Sequence, residues 1–559
     1  MYVIGPRPPL EAERVDLVPY VRAGLVYREA SLPVWRVEAP WPPDRLREKL
    51  AARGFRVSQW YIPPSVMRYL RGEAKAEAIG EFAAVYVQGG ETYWIAGGER
   101  GRGGCPDVEY VAVWGQRVGC GGFVIDLSLV YRRHLWLEAA ERLGDGWLLK
   151  AMRRGPWDAA EAVYALAREA VAFLNALVYA TGVGVDAILQ LFERNTVAAL
   201  AEAVFHREAE RRGVVFEDGR RAFDMPYMDL ARGRAPGVYR RVAELDFKSL
   251  FPSVVAAHGV DPLTARPCRG GMGAEPLGEW CFDGGPVSDV VRKWLERRAE
   301  ARDRAEAEAL KWLMNAGIGA WGKAGWGLIC EPCLLAVRRF AERLFNEAWR
   351  RFDPIYGDTD SLYVEEHKAG EALEWAKSLR GLRLELRGVW SRFILVPAKS
   401  GGVAEKNYVK IGDEAAVKGG LLRPHDLPLA VRLRYQEVVR EAAECGDPVA
   451  KAVEIVKEAP AEQLYVYKAV EAERLRELRR EYALHRAARF FAEACPRCGV
   501  LDVFYLPAGD VVYVPGYALT AHAARPAAKW EVRHAAVEYV RRLWKLRALA
   551  EACSARTYF

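Results

Sequence analysis

Two short acidic strings constrain this chain more than anything else in it: LDFKSLFPS at residues 245–253 and IYGDTDSLYV at residues 355–364. In the first, the apolar run VAEL delivers Asp246 to the point where a strand gives way to a turn and then a helix. In the second, two short β-like runs flank GDTD, the pattern of a tight hairpin. Side chains at i and i+2 on a β-hairpin point to the same face, so Asp358 and Asp360 are expected to approach one cluster. A third carboxylate from a neighbouring strand would complete a hard-oxygen site suited to magnesium. A lone DxD carries little weight, because Asp is common in turns. Two acidic strings in this order, about 110 residues apart, carry far more.

The chain around them has 559 residues, 51% of them hydrophobic and 28% charged, with 50 Gly and 30 Pro spread along its length. That is too long for one hydrophobic core and predicts roughly three to five domains or subdomains. It also excludes a disordered, collagenous or low-complexity protein. Lys and Arg outnumber Asp and Glu by 81 to 74, a mild bias toward a polyanionic partner that a slightly basic soluble enzyme shows equally well. The opening MYVIGPRPPLEAERVDL has no basic segment followed by an apolar run, and the longest apolar stretch, Ala170 to Val185, is interrupted by Asn175, Gly182 and Gly184. A cytoplasmic location with no membrane partner is the expectation. Asn and Gln are scarce and Ala, Arg, Glu and Trp abundant, the bias of a thermophile. The ten cysteines would then sit in one of the few interiors that tolerate disulfides.

Along the chain, the first ~110 residues mix short β runs with Gly-rich turns and read as a small α+β domain. From Trp157 to about Arg212 apolar residues recur at helical spacing, and Val287 to Trp321 is again helical, with a charged turn near Asp303. The final ~130 residues read as mostly helical and basic, with a β interlude at Asp502 to Tyr517, and no repeat of 20 to 50 residues is found.

DFKSLFPS and YGDTDS resemble the polymerase signatures of family B DNA polymerases. Between them, KWLMNAGIGAWG at 311–322 resembles the family's fingers motif, and Lys311 and Asn315, at i and i+4, lie on one helix face. Arg298 and Arg302 match the basic pair on the other fingers helix. KNY at 406–408 resembles the KxY motif that holds the primer strand, and KGGLLRPHD at 418–426 the stretch before the thumb. The resemblance implies an α+β multidomain right hand: an antiparallel-sheet palm, short helical fingers, a mostly helical thumb and a degenerate exonuclease-like region. The expected divisions are an N-terminal domain at 1–110, the exonuclease remnant at 111–209, palm at 210–290, fingers at 291–322, palm again at 323–425 and thumb at 426–559.

The implied chemistry is two-metal nucleotidyl transfer. Asp246 and Asp358, with the Phe247 carbonyl, would hold two Mg²⁺ ions (Mn²⁺ could substitute), with Asp360 in support. Arg298, Arg302, Lys311 and Asn315 would meet the incoming dNTP together with Ser249, Leu250 and Phe251, the last at the steric-gate position. Lys406, Tyr408 and Lys418 would grip primer–template DNA through phosphates. A sliding clamp is a further candidate partner, the chain is expected to act as a monomer, and its cytoplasmic place would be nucleoid-associated.

Departures from the family pattern sharpen the expectation. Only about 240 residues precede Asp246, and where a third exonuclease motif would read YxxxD this chain has YALAR, so Arg168 stands at a metal-ligand position. Proofreading is expected to be absent. Ala316 and Ile318 replace the usual Ser and Tyr of the fingers motif, and Asp229 and Leu230 replace a linker Gly-Gly. This combination is most like the short exonuclease-deficient second paralogue of crenarchaea, associated with synthesis past damaged bases and with repair. The resemblance also implies disulfides formed by Cys268, Cys281, Cys330 and Cys333. A zinc site joining CEPC at 330–333 to CPRC at 495–498 is the alternative, and Cys495 and Cys498 are otherwise unassigned. The rival function is a catalytically weak or inactive paralogue kept as a DNA-binding or scaffold protein.

Overall fold

The computed structural model describes residues 1–559 except 39–43, 117, 134–150, 152–153, 195–196, 221–229, 269–276, 302, 324–325, 472–481, 495–499, 556 and 559. Arg302, Asp229, Cys495 and Cys498 therefore lie outside the described residues. The chain divides into two compact units, the first made of residues 1–228, 248–344 and 379–382, the second of 229–247, 345–378 and 383–559. This division splits the stretch 210–290, which the sequence reading assigns to a single palm segment.

In the first unit, a four-stranded antiparallel sheet is built from Tyr2–Ile4, Ala12–Val15, Val34–Val37 and Arg56–Ser58. A separate five-stranded sheet has the order Phe123–Asp126, Tyr110–Val113, Phe82–Gln88, Glu91–Ala96, Glu99–Arg102. It is antiparallel through its first three strands in the chain and parallel through the last two. One sheet thus runs across residue 110, where a domain boundary was expected. Its two hairpins turn on Gly89-Gly90 and Gly97-Gly98, all four with positive φ, the backbone that a two-residue turn between twisted strands demands. The 26-residue helix Pro156–Thr181 starts with Pro in its first turn, stops at Gly182 with φ 73°, and packs on this sheet. By length and composition it is the one described helix able to cross a membrane, yet its apolar positions are largely buried against protein.

Two further helices of this unit, Pro286–Ala299 and Arg304–Ala320, form the expected charged helix pair. Asp303 caps the second by accepting from the Glu306 N–H at 2.8 Å, which is why the chain breaks there. Gly317 of the fingers string lets this helix approach Val197–Arg211 closely: a Cβ there would lie 2.8 Å from the Phe205 ring.

The second unit is organised by an eight-stranded sheet. Its order is Ala231–Gly233, Tyr356–Asp358, Ser361–Glu365, Gly237–Phe247, Leu384–Pro397, Val403–Ile411 and Ala415–Lys418, with Thr557–Tyr558 pairing parallel to the Gly237 end of the central strand. One hydrophobic cluster joins a face of this sheet to the helices Tyr435–Ala443, Pro448–Glu458, Lys529–Arg542 and Trp544–Ala555. A smaller five-stranded sheet, Val466 to Pro526, supplies the expected β interlude, starting earlier than the sequence reading placed it.

All eight described cysteines are paired. Cys268–Cys281 and Cys330–Cys333 are bonded, and so are two pairs without a signal in the sequence, Cys105–Cys120 and Cys445–Cys553. With Cys330 and Cys333 bonded to each other, a zinc site sharing them has lost half its thiolates.

Candidate active site

The candidate site lies on one face of the large sheet in the second unit. Ser361 on the hairpin's second strand stands opposite Asp358 on one side and Asp246 on the other, and Asp246 stands opposite Glu385. Directly opposed residues in antiparallel strands project to the same face, so Asp358, Ser361, Asp246 and Glu385 form one row across four strands. The Ser361 hydroxyl donates to Asp246 Oδ1 at 3.0 Å and fixes that carboxylate in the row.

Asp360 reaches the cluster from the turn of the hairpin itself. It is not on a strand with Asp358; it is the second residue of the two-residue turn that closes the hairpin between Asp358 and Ser361. Its N–H donates to the Asp358 carbonyl at 2.6 Å, and its own carbonyl accepts from Phe247 N–H at 2.8 Å, tying the turn to the end of the Asp246 strand. Burial pushes the Asp360 carboxyl up to about 6, the nearby negative charge of Asp246 and Asp358 adds to the shift, and Lys418 opposes it. Three acids crowd here with less positive charge around them than all three need.

Cations hold the other two. Arg387 donates from Nη2 at 2.8 Å and Nε at 3.2 Å to Asp246 Oδ2, and Lys406 Nζ sits 3.3 Å from Asp358 Oδ1. Thr359 adds a hydroxyl to Asp358 Oδ1 at 3.1 Å. Among the described residues, no three His, Cys, Asp or Glu side chains form a ready-made metal cage. Two carboxylates and a peptide carbonyl are nevertheless what a magnesium ion takes when substrate phosphates and waters complete its shell, so Asp246, Asp358 and Phe247 fit the ion the resemblance implies.

Beneath the acidic row lies a second one: Tyr356, Tyr363 and Glu244. Glu244 is buried and fully satisfied, accepting from Tyr363 Oη at 3.0 Å, Trp390 Nε1 at 2.8 Å and Lys410 Nζ at 2.8 and 3.1 Å. Tyr408 belongs to this floor. Expected to hold DNA, it is only 3% exposed, its hydroxyl meets that of Tyr363 at 2.8 Å, and its ring packs with Tyr356, Tyr363 and Phe393. Lys406 and Lys418 remain available to a ligand; Lys418 lies exposed on the edge strand, opposite Tyr408. The Lys406 N–H donates to Tyr356 Oη at 2.7 Å, so the KNY string is tied to the hairpin it was paired with in sequence.

In the first unit, Ser249, Leu250 and Phe251 open the helix Leu250–His258. Leu250 is a buried core residue, and its side chain is not offered to a nucleotide; Phe251 is partly exposed. Arg298 bonds the Ser249 hydroxyl and, through Nε at 3.1 Å, the Ala307 carbonyl, clamping the helix pair. Lys311 and Asn315 share a face of Arg304–Ala320, Asn315 exposed and Lys311 partly so, with Lys311 Nζ 3.5 Å from Glu308. Each of the three signature strings holds one non-glycine residue in the left-handed region: Ser249 (φ 52°), Thr359 (φ 57°) and Lys406 (φ 58°).

The exonuclease-like face reads otherwise. Tyr164 stacks on Phe82 with centroids 5.6 Å apart, and Arg168 is exposed one turn further on. The strand Phe82–Gln88 carries no carboxylate, and Asp107 and Glu109 lie between strands. Asp126 is used as a cap, accepting from Gly115 N–H at 3.0 Å and Ser128 N–H at 2.9 Å.

Glu244, Arg387 and Lys410 escaped the sequence reading. A signal existed for Glu244, the one charge in the apolar run VAEL, two residues from Asp246 and hence on its face. Arg387 had none. Glu244 pairs with Gly388 and Leu245 with Leu386, so Arg387 is the extra residue of a β-bulge, and the bulge turns it toward Asp246.

This architecture is that of the family B DNA polymerases. Over 96% of this chain and 90% of the other, it superposes with TM-score 0.62 and 16% identity on the family B DNA polymerase of the hyperthermophilic archaeon Pyrobaculum calidifontis. Sequence relatives include DNA polymerase 2 of Saccharolobus solfataricus, 25% identical over 222 residues (38% of this chain, 35% of the relative). They also include a DNA polymerase of Thermococcus gorgonarius, 26% identical over 278 residues (42% and 35%), and DNA polymerase 2 of Aeropyrum pernix, 27% identical over 201 residues (29% and 24%). The chain spans about a third of the length of the first two relatives. No family model matches it. The chain thus has the fold of that family B DNA polymerase and is similar in sequence, over part of its length, to archaeal DNA polymerases.

Proposed function

We propose that this protein is a template-directed DNA polymerase that adds deoxynucleotides to a primer 3′ end. The observation that carries the reading is the row Asp358, Ser361, Asp246, with Asp360 folded into it by the hairpin turn. Asp246, Asp358 and the Phe247 carbonyl are the donors for two Mg²⁺ ions, which when bound activate the primer 3′-hydroxyl and neutralise charge on the departing pyrophosphate. Ser361 holds Asp246 in place, and the Glu244–Lys410 pair underneath keeps the strand end rigid. Lys311 and Asn315 bind the triphosphate, and Lys406 and Lys418 bind primer–template phosphates without regard to sequence.

The finer reading is a polymerase without proofreading that acts in repair or past damaged bases as a monomer in the cytoplasm. The lack of proofreading is the part supported by Arg168, by the strand Phe82–Gln88 without acids and by Asp126 spent on a cap. Primer extension on plain and lesion-bearing templates, with and without ribonucleotides, tests it. We expect magnesium-dependent extension by the wild type, none by Asp358→Ala, and bypass of an abasic or deaminated base. Stalling at every lesion would remove the damage-tolerance reading, and extension surviving in Asp358→Ala would remove the active-site assignment.

A further inference from the structure

We infer that Arg387 is a partner-exchanging counter-ion: it competes with a divalent cation for Asp246 Oδ2 and, once displaced, binds a phosphate of the substrate. The inference rests on the polymerase reading above. Asp246 has two oxygens, and the protein engages both, Oδ1 by the Ser361 hydroxyl and Oδ2 by the guanidinium fork of Arg387. A hydroxyl can accept as readily as donate, so Ser361 tolerates a cation on Asp246. Nε and Nη2 of Arg387 together take both lone-pair directions of Oδ2, and the guanidinium bears a full positive charge, so a metal ion approaching that oxygen must displace it.

The backbone makes the exchange feasible. Arg387 is the unpaired residue of the bulge, its side chain is 48% exposed, and its other anionic neighbours are Glu385, at 3.6 Å, and the more distant Glu244, which Lys410 already neutralises. From Leu386 to Ser391 the strand has exposed side chains, Leu386 and Val389 among them, whereas from Phe393 onward it is buried core. Displaced, the guanidinium remains on an open ribbon beside the reacting centre, repelled by the cation that replaced it. A phosphate oxygen accepts the same Nε and Nη fork that a carboxylate oxygen does. Two phosphates have the right chemistry, the primer's terminal phosphodiester and the incoming triphosphate, and the test separates them.

The test uses the full-length protein and the variants Arg387→Ala and Arg387→Lys, with melting curves as a fold check. The first readout needs no activity: Mn²⁺ binding to the protein without DNA, followed by the loss of the free-ion electron paramagnetic resonance signal. Removing a competing ion pair should tighten Mn²⁺ binding about threefold to tenfold in Arg387→Ala, with a smaller change in Arg387→Lys, which keeps the charge but loses the fork. The second readout is primer extension, where Arg387→Ala should lose about tenfold in kcat/KM despite tighter metal binding. A loss seen in primer–template Kd assigns the phosphodiester; one seen in the dNTP KM assigns the triphosphate. Mn²⁺ affinity unchanged within twofold would overturn the competition. Tighter Mn²⁺ with undiminished extension would overturn the exchange and leave Arg387 a mere inhibitor. If wild type and Asp358→Ala are equally inert, the polymerase reading has failed, and the Mn²⁺ arm still reports on Arg387.

Discussion

The eight-stranded sheet and the five-stranded sheet at residues 82–126 spend their acidic residues differently. On the first, Asp358, Asp246 and Glu385 line one row, burial and then the charges of Asp246 and Asp358 hold the Asp360 carboxyl at about 6, and Glu244 is buried below with Lys410 as counter-charge. On the second, the face toward the helix Pro156–Thr181 is Tyr86, Tyr93 and Ile95 against Ala159 and Ala160, Glu91 pairs with Arg102, and Asp126 caps backbone. Crowded acids raise the free energy of a fold, and their presence on the first of these two sheets and not the second marks where the charge is put to use.

The largest expected effect lies between these two sheets. Asp358→Ala should lower primer extension by at least about a thousandfold, since it removes a ligand of the reacting centre, while leaving the melting temperature unchanged or raised by relief of repulsion around Asp360. Arg168→Ala should change neither extension nor the release of a mismatched 3′ nucleotide, measured on end-labelled primer and expected to be nil in both proteins. Mismatch excision by the wild type would break the contrast outright. Next in size, Lys410→Met strands the Glu244 charge in a buried site and should cost about 3–5 kcal/mol in a denaturant melt, most of it recovered by Glu244→Gln in the same chain. A loss confined to activity would show that the pair serves chemistry rather than the sheet. Opening Cys105–Cys120, which closes a sequence separation of 15 residues over the Asp107 and Glu109 connection, should cost roughly 3 kcal/mol on loop-entropy grounds. A Cys105→Ser melt measures it.

The smallest effect is a pH dependence in the first unit. Burial lifts Asp218 to about 7 and lowers His206 to about 4. Asp218 binds a proton in the folded chain that the unfolded chain has released, so its contribution is lost as pH rises toward 7; His206 acts in the opposite sense between about 4 and 6.5. The two oppose each other there, and from pH 6.5 to 8 only the Asp218 loss remains, under about 1 kcal/mol. Asp218→Asn should flatten the melting temperature over that range, and an unchanged slope would assign the titration elsewhere.

Much of the site was legible because its strings are local. A strand, a hairpin and a helix pair each announce themselves within about ten residues, so Asp246, Asp358 and Lys311 could be placed from the letters alone. What was missed is long-range. The bulge that aims Arg387 exists only in the pairing of two strands, and the burial of Tyr408 depends on Tyr356, Tyr363 and Phe393 arriving from three other strands. Leu250 failed for a related reason: position in a motif does not tell which way a side chain faces. The boundary expected at residue 110 falls inside one five-stranded sheet, because the pairing of Tyr110–Val113 with Phe82–Gln88 is long-range and leaves no local signal.

The bond between Cys445 and Cys553 makes the intervening stretch a covalent ring within the second unit. A single protease cut inside that ring would yield two pieces that still migrate as one until a reductant is added. Heat would meet the same restraint, because unfolded segments between the two cysteines can drift only as far as the closed loop allows.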